Sequence, residues 1–291
     1  MLHVGAHRLR LRRYDALVHP LVRVEALSPE FVLLDARGAA SYAAGHLEGA
    51  LHADLDVELS AARDPGAQPS RGGRHPLPPL ERWLRQLGAW GIGPATTVVI
   101  YDEQAGANAA ARAWWMLRSI GHARVAVLDG GLQAAVAHGL PLTTTPGRAA
   151  VPAGAYPAVR WLWPTVDLDT VDARRTDPAW KVLDVRSAPR FRGETEPIDP
   201  IAGHIPGALN LPFSENLEDG KFKTAAALRA QYEALLGGTR ADQLVVHCGS
   251  GVTACHTLLA LEAAGLPGAA LFVGSWSEWC RHPERPREPG G

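Results

Sequence analysis

Lys181-Val182-Leu183-Asp184-Val185-Arg186, followed by Phe191 and then Gly203-His204-Ile205-Pro206-Gly207-Ala208, decides the fold, because the chain carries this stretch twice. The earlier copy is Phe31-Val32-Leu33-Leu34-Asp35-Ala36-Arg37, then Tyr42, then Gly45-His46-Leu47-Glu48-Gly49-Ala50. Each copy reads as an apolar strand, Asp-x-Arg, a helix-forming stretch, Gly-His-x-x-Gly-Ala and a second strand. The correspondence extends outward. Thr97-Val98-Val99-Ile100-Tyr101-Asp102 answers to Leu244-Val245-Val246-His247-Cys248. Apolar helical stretches follow at 109–120 and 254–264, then strands at 125–128 and 270–273. Last, Asp129-Gly130-Gly131-Leu132 pairs with Gly274-Ser275-Trp276. A period of about half the chain marks a domain duplication rather than a solenoid. Short apolar runs alternating with helices predict, in each half, a central parallel sheet flanked by helices.

The length agrees: 291 residues make two domains at roughly 100–200 residues each. The break falls in Thr143-Thr144-Thr145-Pro146-Gly147-Arg148-Ala149-Ala150-Val151-Pro152-Ala153-Gly154, which lacks helical or strand periodicity. The expected organisation is an N-terminal domain over 14–145, a linker over 146–165 and a C-terminal domain over 166–291. A second loop-like region, 64–79, holds five prolines and no periodicity. A loop that long inside a compact domain is usually functional or flexible.

Composition narrows the function classes. Hydrophobic residues make up 46% of the chain and charged residues 20%, enough for a real core. A formal net charge of -1 argues against wrapping nucleic acid or coating an anionic membrane. No apolar run approaches the ~20 residues needed to cross a bilayer. Three cysteines, at 248, 255 and 280, are an odd number with no CxxC pair. This argues against a disulfide framework and a cysteine-rich zinc site, and for a reducing cytoplasm. Residues 1–20 carry Arg8, Arg10, Arg12 and Arg13 but no apolar signal-peptide core. That start has the charge of a transit peptide, but its pattern does not persist past Tyr14.

The chemistry centres on Val245-Val246-His247-Cys248-Gly249-Ser250-Gly251-Val252-Thr253-Ala254. A strand runs into a glycine-containing loop and then a helix, and ligands bind at the carboxyl ends of strands in open α/β sheets. Backbone N–H groups of such a loop, with the helix start behind them, favour a thiolate over a thiol. Cys248 is therefore the candidate nucleophile; a structural cysteine would merely end a buried strand. Cysteine phosphatases use His-Cys-x5-Arg, where the arginine grips phosphate. Here the arginine position is Ala254, so a phosphate dianion lacks its bidentate partner.

Taken together, Asp184-x-Arg186, the Gly203 to Ala208 motif, Cys248-Gly249-Ser250-Gly251-Val252-Thr253 and Gly274-Ser275-Trp276-Ser277-Glu278-Trp279 resemble the tandem rhodanese-domain sulfurtransferases. The resemblance runs from about residue 14 to near the end. It implies a catalytic C-terminal domain beside an inactive N-terminal copy. The residues agree, since Asp102 stands where Cys248 stands in the other half. It also implies a covalent mechanism. The Cys248 thiolate takes sulfur from a donor, becomes a persulfide and passes the sulfur to cyanide or a thiol, with a thioredoxin-like reductant as a further partner. No metal or organic cofactor is called for.

Two donors stay open. Relatives that prefer thiosulfate, a dianion, place basic residues in the loop, and 249–253 has none. The loop resembles the 3-mercaptopyruvate class, in which Gly249, Ser250, Gly251, Val252 and Thr253 would surround the donor. Arg190 matches the family's substrate arginine. A second arginine, frequent before Gly-His in that class, is missing from 198–202, which keeps thiosulfate in play. The resemblance further implies a catalytic His75 and Asp56 reaching across from the N-terminal domain; a loop histidine without a role is the plain alternative. A persulfide carrier that loads once without turnover is a second class of function.

The remaining motif residues read as structural. His46 and His204 recur in both halves, including the half without a cysteine, as do Asp35 with Arg37 and Asp184 with Arg186. Packing and internal ion pairs are expected of them. Cys255 is expected to be buried and Cys280 partly exposed. Trp114 and Trp115 are expected in the core or between domains.

Overall fold

The computed structural model describes residues 19–107, 109–149, 151–152 and 154–288. The arginine-rich start lies outside the described residues. Two five-stranded parallel sheets dominate. The first runs, in spatial order, Leu21–Val22, Val125–Leu128, Val98–Tyr101, Val32–Asp35 and Leu51–His52. The second runs Thr165–Val166, Ala270–Phe272, Leu244–His247, Lys181–Asp184 and Leu209–Asn210. The orders correspond strand for strand, as the duplication predicts. Each sheet also has a two-residue edge strand before its repeat unit, too short to show a pattern. The central strands are apolar runs because helices cover both faces of a parallel sheet; Val98–Tyr101 and Leu244–His247 are buried throughout.

The recurring motif is one interlocked structural unit in each domain. Arg37 pairs with Asp35 at 2.6 Å and donates to the Gly45 carbonyl. Arg186 does the same with Asp184 at 2.6 Å and the Gly203 carbonyl. His46 stacks on Tyr42 and hydrogen-bonds its carbonyl; His204 does likewise with Phe191. Asp-x-Arg, the aromatic residue and Gly-His are thus coupled by contact, which is why they recur in the domain lacking the cysteine.

Helices Ala110–Ser119 and Thr253–Ala263 pack against each other and join the two domains in one core. Trp114 and Trp115 are fully buried in that core, against Trp161 and Trp163 of the connecting segment. Local signals set the helix ends elsewhere. Asp167 caps Leu168–Arg174 through the Thr170 N–H, and Thr224 caps Ala225–Leu236 through the Ala227 N–H. Among the described residues no helix is long and apolar enough to cross a membrane.

Candidate active site

Cys248 is the first residue past strand Leu244–His247, at the carboxyl end of the sheet. Register makes its counterpart unambiguous: Tyr101 pairs with Asp35 as His247 pairs with Asp184, so Asp102 occupies the cysteine's place. The loop is clamped from behind. The Cys248 N–H donates to Ser275 Oγ at 3.1 Å. The Cys248 and Gly249 carbonyls accept from the N–H groups of Trp276 and Ser277. Gly251 adopts φ +75°, and a Cβ there would lie 2.4 Å from the Val273 carbonyl oxygen, so the turn requires glycine. Helix Thr253–Ala263 starts directly after it. Cys248 itself is 1% exposed.

In the N-terminal domain the equivalent cradle is filled by its own side chain. The Asp102 carboxylate accepts from the N–H groups of Gln104, Gly106 and Ala110, at 2.8, 2.8 and 3.1 Å. In this loop the N–H groups close on a fixed carboxylate, at the place where the other domain carries Cys248.

The 64–79 loop is tied down over the C-terminal domain. Gly72 N–H donates to Glu278, and Ser70 carbonyl meets His282 Nε2 at 2.9 Å. Arg74 N–H donates to Ser277 Oγ at 3.0 Å. Gly73 passes so close to Gly274 that a Cβ would sit 2.4 Å from its carbonyl oxygen. This strap brings His75 to the cysteine loop: its Nδ1 lies 2.8 Å from Ser250 Oγ, and its Nε2 lies 3.3 Å from Asp56 Oδ1. Burial pushes His75 down to about 4, against the pull of Asp56 and with that of Arg112 and Arg74. The imidazole is neutral near pH 7. A carboxylate only accepts, so Nε2 carries the proton toward Asp56 and Nδ1 accepts from the Ser250 hydroxyl.

Arg190, on the short helix Ala188–Phe191, is held by Glu196 at 2.7 Å and lies 3.6 Å from Asp199. Burial would raise the Glu196 carboxyl, but Arg190 and the backbone N–H groups of Asp199 and Ile198 hold it below its ordinary value. Asp199, its side chain fully buried, also binds Arg74 and Arg281. The result places two guanidinium groups over the bare face of Gly249: a Cβ there would lie 3.1 Å from Arg74 and 3.6 Å from Arg190. Arg74 is the cation that sequence reasoning missed. The resemblance singles out its neighbour His75, but nothing in the pattern says that Arg74 crosses the domain interface to where 198–202 lacks an arginine.

Two further residues depart from expectation or extend it. Cys280 is 1% exposed rather than partly exposed, because helix Ser275–Trp279 turns its end into the core of Trp276, Trp279 and Val171. Cys255 is buried as expected, and burial raises its thiol to about 12. All three cysteines are free thiols.

Comparison with known proteins agrees with this architecture. The pattern of the rhodanese-like domain matches residues 23–138 and 167–282. A Pseudomonas aeruginosa chain named "Probable 3-mercaptopyruvate sulfurtransferase" is 44% identical over 272 residues, covering 90% of this chain and 93% of that one. A Mycobacterium tuberculosis chain carrying the thiosulfate sulfurtransferase name is 38% identical over 268 residues, 90% of each. The solved 3-mercaptopyruvate sulfurtransferase from Leishmania major superposes with a TM-score of 0.76 at 30% identity, covering 90% of this chain and 74% of that one. Two matched domains in tandem, and similarity along nearly the whole length, place this chain in the family of tandem rhodanese-domain sulfurtransferases.

Proposed function

We propose that this chain moves sulfane sulfur from 3-mercaptopyruvate to a thiophilic acceptor through a persulfide on Cys248. The observation that carries this reading is the Ser250–His75–Asp56 chain, built from both domains beside the cysteine. Breaking the C–S bond of mercaptopyruvate leaves an enolate that must be protonated, whereas sulfite leaving thiosulfate needs no proton. In the step proposed, the Cys248 thiolate attacks the donor sulfur, the S–S bond forms and the C–S electron pair goes to carbon. The donor's thiol proton passes to neutral His75 through Ser250, Asp56 steadies the imidazolium, and the proton returns to the enolate carbon to give pyruvate. Cyanide or a thiol, including that of a thioredoxin-like reductant in a reducing cytoplasm, then attacks the outer sulfur and releases the Cys248 thiolate.

Charge supports the same donor. Arg74 and Arg190 face the loop, but Asp199 and Glu196 already neutralise much of their charge. Such a pair suits the single carboxylate of mercaptopyruvate better than a dianion, which needs cations with charge unspent. Thiosulfate is the second reading, because the pair does supply two guanidinium groups. The test is kcat/KM for both donors with cyanide as acceptor, together with the mass of the loaded protein. Mercaptopyruvate is expected to win, and Cys248→Ser to lose both turnover and the one-sulfur mass gain. A thiosulfate preference of about tenfold, roughly 1.4 kcal/mol in the transition state, would reverse the donor assignment. Loading once without turnover would point to a carrier.

A further inference from the structure

Arg112 is fully buried on helix Ala110–Ser119 of the non-catalytic domain. Its Nη1 donates to the Gly251 carbonyl of the cysteine loop at 3.2 Å, and its Nη2 to the His75 carbonyl at 3.1 Å. Its Nε finds no partner. Burial pulls its pKa below the ordinary value, and the groups that oppose this are the sulfurs of Cys255 and Cys248, not a carboxylate. A guanidinium taken wholly out of water without an acidic partner is costly to keep, so its retention calls for a reason beyond packing.

The duplication supplies a control inside the molecule. Ala105 holds the position in the N-terminal loop that Gly251 holds in the catalytic one, three residues past Asp102 and Cys248 respectively. Both take left-handed backbone angles, φ +51° and +75°. Each carbonyl is met by a donor from the other domain's helix. Ala105 receives His256 Nε2 at 3.2 Å, and burial pushes that imidazole down to about 3, so it is neutral. Gly251 receives Arg112, a cation. The same carbonyl therefore gets a neutral donor where the loop holds a fixed carboxylate, and a charged one where it holds the sulfur nucleophile.

We propose that Arg112 is a positioning residue for sulfur transfer: it fixes the Gly251 and His75 peptides together across the domain interface, and its charge stabilises the Cys248 thiolate and the persulfide anion. This rests on the persulfide reading above. In a trans peptide the N–H points opposite to the carbonyl, so anchoring the Gly251 carbonyl turns the Val252 N–H away from Arg112. Other charged and titratable groups surround the loop. Arg186 is paired with Asp184 and Glu196. Arg74 and Arg190 are paired with Asp199 and Glu196. Buried His247 is held low by burial and Cys255 held high, and His75 is neutral. Against that background Arg112 supplies a charge that no carboxylate has cancelled.

The test is the rate of iodoacetamide alkylation at Cys248, followed by peptide mass against pH, in Arg112→Gln and Arg112→Lys. This readout needs no donor, so it stands apart from the choice between mercaptopyruvate and thiosulfate. Arg112→Gln keeps a side-chain N–H for the Gly251 carbonyl and removes the charge. Its alkylation midpoint should rise by about one pH unit. Its kcat with mercaptopyruvate should fall about tenfold or more while KM changes little. Arg112→Lys keeps the charge and should hold the midpoint close to that of the wild type. An unchanged midpoint in a folded Arg112→Gln overturns the proposal, and so does a raised midpoint in Arg112→Lys should the glutamine variant fail to fold.

Discussion

At the scale of single residues, His75 carries the sharpest expectation, because burial sets its titration far from the ordinary value of an imidazole. The relay needs Nδ1 free to accept, so it works only with His75 neutral. With His75 lowered to about 4, kcat/KM for mercaptopyruvate, which reports the free enzyme, should keep its plateau down through pH 6 and fall on an acid limb near 4. A limb near 6.5 in the pH profile of kcat/KM would show that burial of His75 does not govern the reaction. The same shift acts on stability. The folded pKa lies below the unfolded one, so the unfolded chain binds more protons between about 6.5 and 4. The contribution of this group is whole above pH 6.5 and shrinks as pH falls through that window. His75→Gln, which cannot take the proton, should flatten this part of the stability curve and abolish mercaptopyruvate turnover.

At the scale of the element, the cysteine loop depends on one backbone conformation. Gly251 combines a left-handed φ with a contact that leaves no room for Cβ beside the Val273 carbonyl. Both terms oppose Gly251→Ala: the backbone strain is worth about 1–3 kcal/mol, and crowding against a fixed carbonyl adds a similar amount. The variant should be less stable by about 2–6 kcal/mol in denaturant unfolding and lose turnover, because a shifted Gly251 carbonyl also releases Arg112 and Cys255, which bond it. Wild-type stability in that variant would mean that the loop relaxes more freely than its contacts imply. The loop was legible from its residues: strand, Cys248, two glycines and a helix start followed from local pattern. The strap at 64–79 was not. Its prolines and glycines announced an irregular segment, but the contacts that order it come from Ser277, Glu278 and His282, some two hundred residues away.

At the scale of the whole molecule, the duplicated domain acts as both brace and contributor. Its own cradle is held by Asp102, and Asp102→Ala would leave buried N–H groups without their charged acceptor, a loss of about 2–4 kcal/mol. A lowered melting temperature is expected, with kcat at 25 °C within about threefold of the wild type, since the Asp102 carboxylate holds the N–H groups of Gln104, Gly106 and Ala110 in its own domain. A variant that melts normally would show that those N–H groups find other acceptors. Two tandem domains with a parallel sheet in each followed from the sequence alone, as did the place of Cys248 at the end of a strand and of Asp102 at the equivalent position. Repeats and strand patterns are local properties, and a glycine loop between strand and helix allows few conformations. Only the tertiary structure decided that Arg74 meets Arg190 over Gly249, that His75 lies between Ser250 and Asp56, that Arg112 reaches Gly251, and that Cys280 is buried. Each of these depends on side chains from separate domains or distant segments meeting at an interface. Spacing along the chain does not encode such meetings; the docking of the 64–79 strap, the packing of helix Ala110–Ser119 on helix Thr253–Ala263 and the turn of helix Ser275–Trp279 into its core set them.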